Sequence, residues 1–435
     1  MLLCDDCHGI SVGTLARANR SFPLVVHGRF GPQVSPHDLS QWGEPWSIYT
    51  GGMTPKVMRL SEAASRRLDA VRAASAFLVL LSHWRMFTFT PHEVLSGHVS
   101  LGKQIFYFFT AGVIAHRAVL VFFLLSGFLV GGSVLRSIDT GTWSWKTYSE
   151  NRLSRLYVVL LPGLLAVMLW DYGSVHIQGG FAAATAASAS FEPRGWHAFL
   201  VNATFLQNIF RGPYGTDKAL WSLSCEFWYY AAFPFLALAL FQKTTPVRRA
   251  LWLLIFIAIC VFMNAGNCLL GITWMLGAGI HFLPSPKGGR WRKLGVLVSF
   301  FGLVVMISDH HLSSVVAILI FSLIGMAFLY LLIIVPPPKR SFSGTRWLAK
   351  RGSEVSYSMY VLHMPAIVFF VALLHRPRGG FQGHELIGAL GILLIVLLYV
   401  LVMYLCFERN TVWVRQQIHT QSEAWLTQGD PRKRT

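Results

Sequence analysis

The chain contains 435 residues, of which 54% are hydrophobic and only 13% are charged, and its mean hydropathy is +0.51. This composition excludes an ordinary water-soluble protein, because a soluble surface of this size needs more charge, and it indicates a protein that crosses the membrane several times. A formal net charge of +18 would favour a nucleic-acid partner, but the basic residues lie in short segments between apolar runs, where they direct membrane topology, so no nucleic-acid partner is expected.

Residues 1–66 are polar, contain scattered proline and glycine, and show no sustained periodicity, so they predict a flexible cytoplasmic leader. No basic segment followed by an apolar core precedes the first apolar run, which is therefore expected to direct insertion itself. Met53 and Met58 lie just before that run, and a true start at one of them stays open. The CDDCH motif at 4–8 has the spacing that attaches c-type haem, but it lacks an export signal and an apolar pocket, so we interpret it as part of a solvated tail.

Residues 68–89, LDAVRAASAFLVLLSHWRMFTF, form the first run of spanning length, yet they include Asp69, Arg72 and His83. Ionisable groups inside a membrane helix are costly and usually mark a functional site. Arg72 and His83 are eleven residues apart, which on a helix corresponds to a rise of about 16 Å and about three turns. Both side chains are therefore expected on one helix face, with the guanidinium near the cytosol and the imidazole deeper.

Ten apolar runs predict an all-α polytopic membrane bundle with about ten transmembrane helices, although 271–284 is short enough to be a re-entrant segment. No internal repeat is evident, so we expect one integrated membrane domain over 67–410, followed by a basic cytoplasmic tail at 411–435. The runs are 68–89, 118–135, 156–170, 219–241, 250–264, 271–284, 294–308, 314–335, 355–375 and 387–407.

The charges in the connecting segments predict the orientation of the bundle. With the N-terminus inside, the cytoplasmic segments hold sixteen Lys or Arg in 56 residues, whereas the outer segments hold seven in 98. This asymmetry follows the positive-inside rule and places both termini in the cytoplasm. The cytoplasmic segments are 136–155, 242–249, 285–293 and 336–354, and the outer ones are 90–117, 171–218, 265–270, 309–313 and 376–386.

The fourth run opens at its outer end with the segment WSLSCEFWYY, which begins at Trp221 and contains Ser222 and Glu226. This register places Glu226 about two turns below the outer surface, at a depth that it can share with His83. A carboxylate beside an imidazole fixes the tautomer of the ring and raises its basicity, as a general base requires. A structural His–Glu pair or an ion-relay station stays open as an alternative.

Arg152 and Arg155 lie three residues apart at the cytoplasmic start of the third run, and therefore on one helix face. Together with Arg72 they are able to form a three-point site for phosphate oxygens. The alternative is that they only set topology and contact lipid headgroups.

Further polar and small residues lie within the later runs. Ser126-Gly127 favours close helix packing over a serine nucleophile. His363 lies two residues before Pro365, where a kink is expected, and is either structural or part of the substrate site. The cysteines outside the leader lie in or beside apolar runs and predict buried packing residues without disulfides.

These segments together resemble the acyltransferase-3 family of polytopic membrane O-acyltransferases, in the order in which that family carries them. The resemblance implies transfer of an acyl group, most often acetyl from acetyl-CoA, to a hydroxyl of a sugar-containing acceptor. The family's Arg-x10-His pair matches Arg72 and His83, and its Ser-x-x-x-Glu element matches Ser222 and Glu226. The motifs are LDAVRAASAFLVLLSH at 68–83, FFLLSGFLV at 122–130, RLSRLY at 152–157, WSLSCEFWYYAAFPFL at 221–236, SYSMYVLHMP at 356–365 and FER at 407–409.

The resemblance gives the candidate residues specific roles. His83 is expected to be the general base, oriented by Glu226, and the three arginines are expected to bind the phosphates of acyl-CoA arriving from the cytosol. Trp221, Ser222 and His363 complete the predicted substrate site, and no metal is expected. The partners implied are acyl-CoA, a sugar-containing or lipid-linked acceptor and the lipids of the inner cell membrane. A covalent acyl-histidine route, a flippase for a lipid-linked glycan and a polytopic sensor stay open as alternatives.

Overall fold

The structure is a computed structural model that describes residues 57–58, 60–91, 100–177, 195–284, 289, 291–308, 315–337, 343–374 and 378–428. This part of the chain is helical and contains no named β-strand, which confirms the all-α prediction. Most of the predicted leader, including the CDDCH motif, lies outside the described residues. The helices are α1 (Glu62–Thr88), α2 (Leu101–Phe109), α3 (Gly112–Asp139), α4 (Trp145–His176), α5 (Trp196–Ala203), α6 (Trp221–Phe241), α7 (Pro246–Phe262), α8 (Ala265–Gly279), α9 (Trp291–Ser308), α10 (Val315–Ile334), α11 (Ser343–Leu373), α12 (Gly383–Cys406) and α13 (Thr411–Gln428).

Each of the ten apolar runs lies largely within one helix, but the described helices do not establish ten membrane crossings. Six of them are long and apolar enough to span a bilayer. Helices α7 and α8 contain only 17 and 15 residues, and α1 carries several charged side chains. The six are Gly112–Asp139, Trp145–His176, Lys218–Phe241, Val315–Ile334, Ser343–Leu373 and Gly383–Gln421.

The sequence prediction missed several helical segments. Helices α2 and α5 are short and lie in predicted outer segments, and α13 occupies most of the predicted tail. Helix α11 begins at Ser343, so the predicted loop 336–354 is helical over its last part. Charged residues before the apolar run of α11 made this stretch resemble a loop, although they are compatible with a helix that extends beyond a membrane.

Helix α11 is the central element of the bundle, since 83% of its apolar window is buried compared with 22% of that of α12. It runs parallel to α1, because Arg72 contacts Ser353 near one end of the helix pair and His83 contacts His363 near the other. The two backbones approach closely at Gly352, where a Cβ atom would lie 2.8 Å from the Cβ of Ala73. Ser61 caps the N-terminus of α1 by accepting a hydrogen bond from the Ala64 amide.

Helices α3 and α8 cross with almost no space between their backbones. A Cβ atom at Gly127 would lie 1.9 Å from the Trp274 carbonyl oxygen, so only glycine permits this approach. Gly127 also begins a π-helical segment within α3 that ends at Gly131. His281 accompanies this irregular backbone, with its Nε2 atom 2.8 Å from the Phe128 carbonyl oxygen. The packing interpretation of Ser126-Gly127 is therefore confirmed for the glycine.

Candidate functional site

The two histidines of the predicted site face each other across the contact between α1 and α11. His83 Nδ1 lies 2.8 Å from His363 Nε2. The two rings stack with their centroids 5.0 Å apart and their planes at 29°. His363 is completely buried, whereas His83 is partly accessible. Sequence spacing alone gave no indication that these two rings would meet.

The Glu226 carboxylate forms its hydrogen bond with a tyrosine. This carboxylate accepts a short hydrogen bond from Tyr230, one turn further along α6. The Tyr230 hydroxyl also lies 3.1 Å from Ser126 Oγ, to which Trp274 Nε1 donates at 3.0 Å. The Tyr230 hydroxyl has one proton and donates it to the carboxylate, so Ser126 must be the donor to Tyr230. The chain of hydrogen bonds therefore ends at Glu226.

Glu226 also lines a cavity beside α11. It does so together with Ser356 and Tyr357 of α11, and Ser356 precedes His363 by seven residues, or about 10 Å along the helix. Among the described residues, the hydrogen-bond partner of His83 is the Nε2 atom of His363. In the described part of the chain, Glu226 bonds to Tyr230 and His83 bonds to His363, so the role of Glu226 in orienting His83 stays a prediction.

Arg72 is almost completely buried, with 2% of its surface exposed. Its Nη1 atom donates to Ser353 Oγ at 2.8 Å and lies 3.5 Å from Asp69 Oδ1. Ser353 in turn donates to the same Asp69 oxygen at 3.0 Å. The guanidinium is thus held rigidly between α1 and α11, with a carboxylate that offsets part of its charge.

Arg155 and Arg152 are the more accessible members of the predicted anion site, since both are half-buried. Arg155 is close enough to Arg72 and Glu226 for their charges to interact. Arg152 Nη2 lies 3.4 Å from Ser133 Oγ, and its guanidinium carbon lies 5.7 Å from the centre of the Tyr148 ring. The arginines therefore gather at the end of α11 opposite the two histidines.

The opening of α6 lies near the histidine end of the bundle. Ser222 Oγ and the Tyr360 hydroxyl are 2.5 Å apart, and Tyr360 donates to the Ala219 carbonyl at 2.9 Å. The half-buried Trp221 ring stacks on the exposed His116, with ring centroids 5.7 Å apart and an interplanar angle of 16°. Ser222 and Trp221 thus lie close to His363, which follows Tyr360 by one turn.

A small cavity of about 20 Å³ lies between the arginine end and the histidine end. Its wall on α11 carries Ser356, Tyr357 and Tyr360, which share one helix face with Ser353 and His363 because the spacings are three or four residues. Glu226 and Ser222 supply polar groups from α6. The full lining consists of Val119, Phe122, Phe123, Ser222, Leu223, Glu226, Ser356, Tyr357 and Tyr360.

Glu408 is a site-supporting residue that the sequence prediction did not assign. Its Oε2 atom accepts hydrogen bonds from the Ser358 amide at 2.9 Å and from Ser358 Oγ at 2.6 Å. A carboxylate therefore forms hydrogen bonds to α11 midway between Ser353 and His363. The FER motif at 407–409 was visible as a part of the family resemblance, and its glutamate was the available signal.

Two further predictions concern metals and cysteines. Within the described residues, no group of three or more His, Cys, Asp or Glu side chains is arranged to hold a metal ion. The described cysteines Cys225, Cys260, Cys268 and Cys406 are all free thiols. Cys225 is completely buried, as expected for a packing residue, whereas Cys406 is exposed.

The comparisons with known proteins identify the family. The acyltransferase-3 family model, described as an acyltransferase domain, matches residues 65–408, which is more than half of the chain. The chain belongs to the acyltransferase-3 family. The chain is also similar to acyltransferase MdmB from Streptomyces mycarofaciens, with 29% identity over 245 residues that represent 55% of this chain and 53% of the relative. The match thus spans about half the length of that relative, and no solved structure matches the chain.

Proposed function

We propose that this family member transfers an acyl group, most simply acetyl, from acyl-CoA to a hydroxyl of a glycan or glycosylated acceptor at the inner cell membrane. One observation carries the proposal. On the parallel helices α1 and α11, the Arg72–Ser353 contact and the His83–His363 contact are separated by about 15 Å, and a cavity lies beside α11 between them. A cationic end, a basic end and a small cavity between them, which a bound donor would have to widen, suit a long thioester donor with an anionic head.

The arginine end is the proposed site for the CoA phosphates. Arg152 and Arg155 are half-buried, so part of each side chain is accessible, and planar guanidinium groups match phosphate oxygens in bidentate pairs. Arg72 lies deeper in the protein, where its positive charge would attract the phosphates without contacting them. Asp69 and Ser353 fix the orientation of its guanidinium. The positive-inside pattern supports entry of the donor from the cytosol.

The cavity is the proposed path of the pantetheine arm. Aromatic walls from Phe122, Phe123 and Tyr357 suit its apolar parts, and Glu226 offers a carboxylate oxygen to an amide N–H of the arm. This assignment makes Glu226 a substrate-binding residue. Glu226 lies between Arg72 and His83, so the proposed path takes the thioester carbon past Glu226, and the reaction takes place beyond it at His83.

His83 is the proposed general base. In direct transfer, the acceptor hydroxyl gives its proton to the imidazole while its oxygen attacks the thioester carbonyl. The Ser222 hydroxyl, which lines the cavity and donates to Tyr360, is the proposed donor to the oxyanion that forms, and it would have to turn from Tyr360 to the oxyanion as the reaction proceeds. Half-buried Trp221, stacked on His116, offers a flat ring to a sugar acceptor near the same end of the bundle.

The experiment uses the purified chain in lipid nanodiscs with labelled acetyl-CoA and an envelope glycan fraction. We expect acetylated glycan, detected as the mass of one acetyl group, and stoichiometric free CoA. His83→Ala is expected to abolish both, whereas His176→Ala, which removes an exposed histidine at the end of α4, serves as the matched control. Full turnover by His83→Ala would refute the role of the imidazole. Glycan transport without acyl turnover would instead support the flippase alternative.

A further inference from the structure

We propose that His363 is a positioning residue that holds neutral His83 in the tautomer with its proton on Nδ1, so that the Nε2 lone pair of His83 is the base. The inference rests on the proposed function of His83 and adds the residue that determines its protonation pattern. It is carried by a continuous hydrogen-bond chain from the backbone of α11 through His363 to His83.

The chain begins at two carbonyl groups of α11. His363 Nδ1 lies 2.8 Å from the Met359 oxygen and 3.0 Å from the Tyr360 oxygen. Carbonyl oxygens only accept hydrogen bonds, so Nδ1 of His363 must carry a proton. A neutral imidazole has a single N–H group, and Nε2 of His363 is therefore an acceptor.

The tautomer of His83 follows from the tautomer of His363. His83 Nδ1 lies 2.8 Å from the accepting Nε2 atom of His363. One of these two nitrogens must supply the proton, and His363 Nε2 has none, so His83 Nδ1 is the donor. The other nitrogen of His83, Nε2, then carries the lone pair that a general base requires.

Both rings are assigned as neutral because of their surroundings. Among the described residues, the hydrogen-bond partners of His363 are two carbonyl oxygens and His83, and no carboxylate forms an ion pair with either histidine. An ionised imidazole without a counter-ion in a buried site would carry a large desolvation cost. A neutral acceptor orients His83 without adding a second buried charge, which a carboxylate partner would do.

The orientation of His363 is fixed before any substrate binds. Its ring bonds to carbonyls three and four residues earlier on its own helix, so it moves together with α11. Tyr360, one of these two residues, is itself held by hydrogen bonds to Ser222 and to the Ala219 carbonyl. His363 is completely buried, and close packing around a buried ring disfavours other rotamers.

The proposed reaction moves one proton from the acceptor hydroxyl to His83 and then to the CoA sulfur. The acceptor O–H bond breaks, its proton passes to His83 Nε2, and the oxygen forms a bond to the thioester carbonyl carbon. The C–S bond then breaks, and the departing thiolate takes the proton from His83 Nε2 to give the CoA thiol. Throughout, Nδ1–H of His83 stays bonded to His363, which stabilises the transient imidazolium.

The first test reads the tautomer directly in the unmodified protein. Nitrogen-15 NMR of histidine-labelled chain in nanodiscs distinguishes a protonated from a bare ring nitrogen, and His83→Ala identifies the His83 signals by their loss. We expect a protonated Nδ1 and a bare Nε2 on His83 near neutral pH. A bare Nδ1 with a protonated Nε2 would overturn the inference.

The second test measures the consequence for catalysis. His363→Leu removes the acceptor, and we expect kcat to fall by roughly 10- to 100-fold with little change in KM for acetyl-CoA, because the tautomer of His83 is no longer held. His363→Gln returns an acceptor oxygen near the position of Nε2, and we expect it to recover most of the lost rate. Equal kcat values for the wild type and His363→Leu would overturn the inference.

The failure of this inference is distinguishable from the failure of the proposed function. If His83→Ala is inactive while His363→Leu is fully active, His83 is a base that needs no positioning by His363. If His83→Ala retains full activity, the proposed function of His83 itself is refuted. A kcat loss in His363→Gln as large as that in His363→Leu would show that the residue acts through packing and not through its acceptor.

Discussion

His83 and His363 are joined by a 2.8 Å contact between Nδ1 and Nε2, and this contact links α1 to α11, the candidate membrane span whose apolar window is the most buried. About 15 Å away along the same two helices, Arg72 donates to Ser353. The parallel pair α1 and α11 therefore presents both the cationic and the basic end of the candidate site. Helix α6 adds Glu226 and Ser222 from the side, within the intervening cavity.

Glu226→Gln tests whether the carboxylate binds substrate or acts on His83. We expect KM for acetyl-CoA to rise about tenfold, the effect of losing one charge-assisted hydrogen bond, with kcat changed less than about threefold. Tyr230→Phe leaves the charge in place and is expected to have a smaller effect. Steady-state kinetics with varied acetyl-CoA measures both constants. A large loss of kcat at unchanged KM would instead indicate that Glu226 acts on the chemical step.

Glu408→Ala tests the grip on the middle of α11. The variant leaves the Ser358 amide and hydroxyl without their carboxylate partner, so we expect a loss of about 1–3 kcal/mol in the free energy of unfolding. Glu62→Ala removes an exposed carboxylate and is expected to change stability by less than about 0.5 kcal/mol. Detergent-induced unfolding of both variants measures the difference. Equal stability of the two would contradict a supporting role for Glu408.

Gly127→Ala tests the crossing of α3 and α8. The added methyl group would lie 1.9 Å from the Trp274 carbonyl oxygen, so the helices must separate, and we expect a loss of about 1–3 kcal/mol or more. Gly391→Ala places the same methyl group in α12 where no atom lies within 4 Å, and it is expected to be neutral or slightly stabilising. Thermal unfolding of the two variants gives the comparison. A Gly127→Ala variant as stable as Gly391→Ala would show that the crossing relaxes freely.

The predicted orientation is tested with reporter fusions. Three predicted crossings precede Ala186, so alkaline phosphatase fused after Ala186 is expected outside the cytoplasm and active. The same enzyme fused after Thr435 is expected in the cytoplasm and inactive, whereas a green fluorescent protein fused there is expected to fluoresce. The reverse pattern would contradict the topology and the cytosolic entry of the donor.

The sequence predicted the helices well because long apolar runs have few alternatives to a helix in a membrane. It also identified Arg72 and His83 as members of one helix face, since that relation depends only on the spacing within α1. It did not predict that His363 would meet His83 or that Glu226 would line a cavity with Ser356 and Tyr357 of α11. Those relations depend on the direction and register of α6 and α11 against α1, which side-chain packing determines and local sequence does not encode.

The contact of Glu226 with Tyr230 was within reach of the sequence, because residues four apart on a helix are neighbours. Arg72 presents the opposite case. Its partner Asp69 is three residues earlier and was visible, whereas Ser353 comes from a helix that begins well before its apolar run. Polar residues at helix ends were interpreted as loops, and a contact made there was therefore overlooked.

The most direct test of the account compares donor binding with turnover in the same nanodisc preparation. Equilibrium binding of labelled acetyl-CoA and the rate of acyl transfer are measured for the wild type, His83→Ala and Arg72→Gln. We expect His83→Ala to bind acetyl-CoA within about twofold of the wild type but to transfer acyl groups roughly 10²- to 10⁴-fold more slowly, and Arg72→Gln to bind about tenfold more weakly. Acyl transfer by His83→Ala at the wild-type rate, or equal affinity of Arg72→Gln and the wild type for acetyl-CoA, would contradict these expectations.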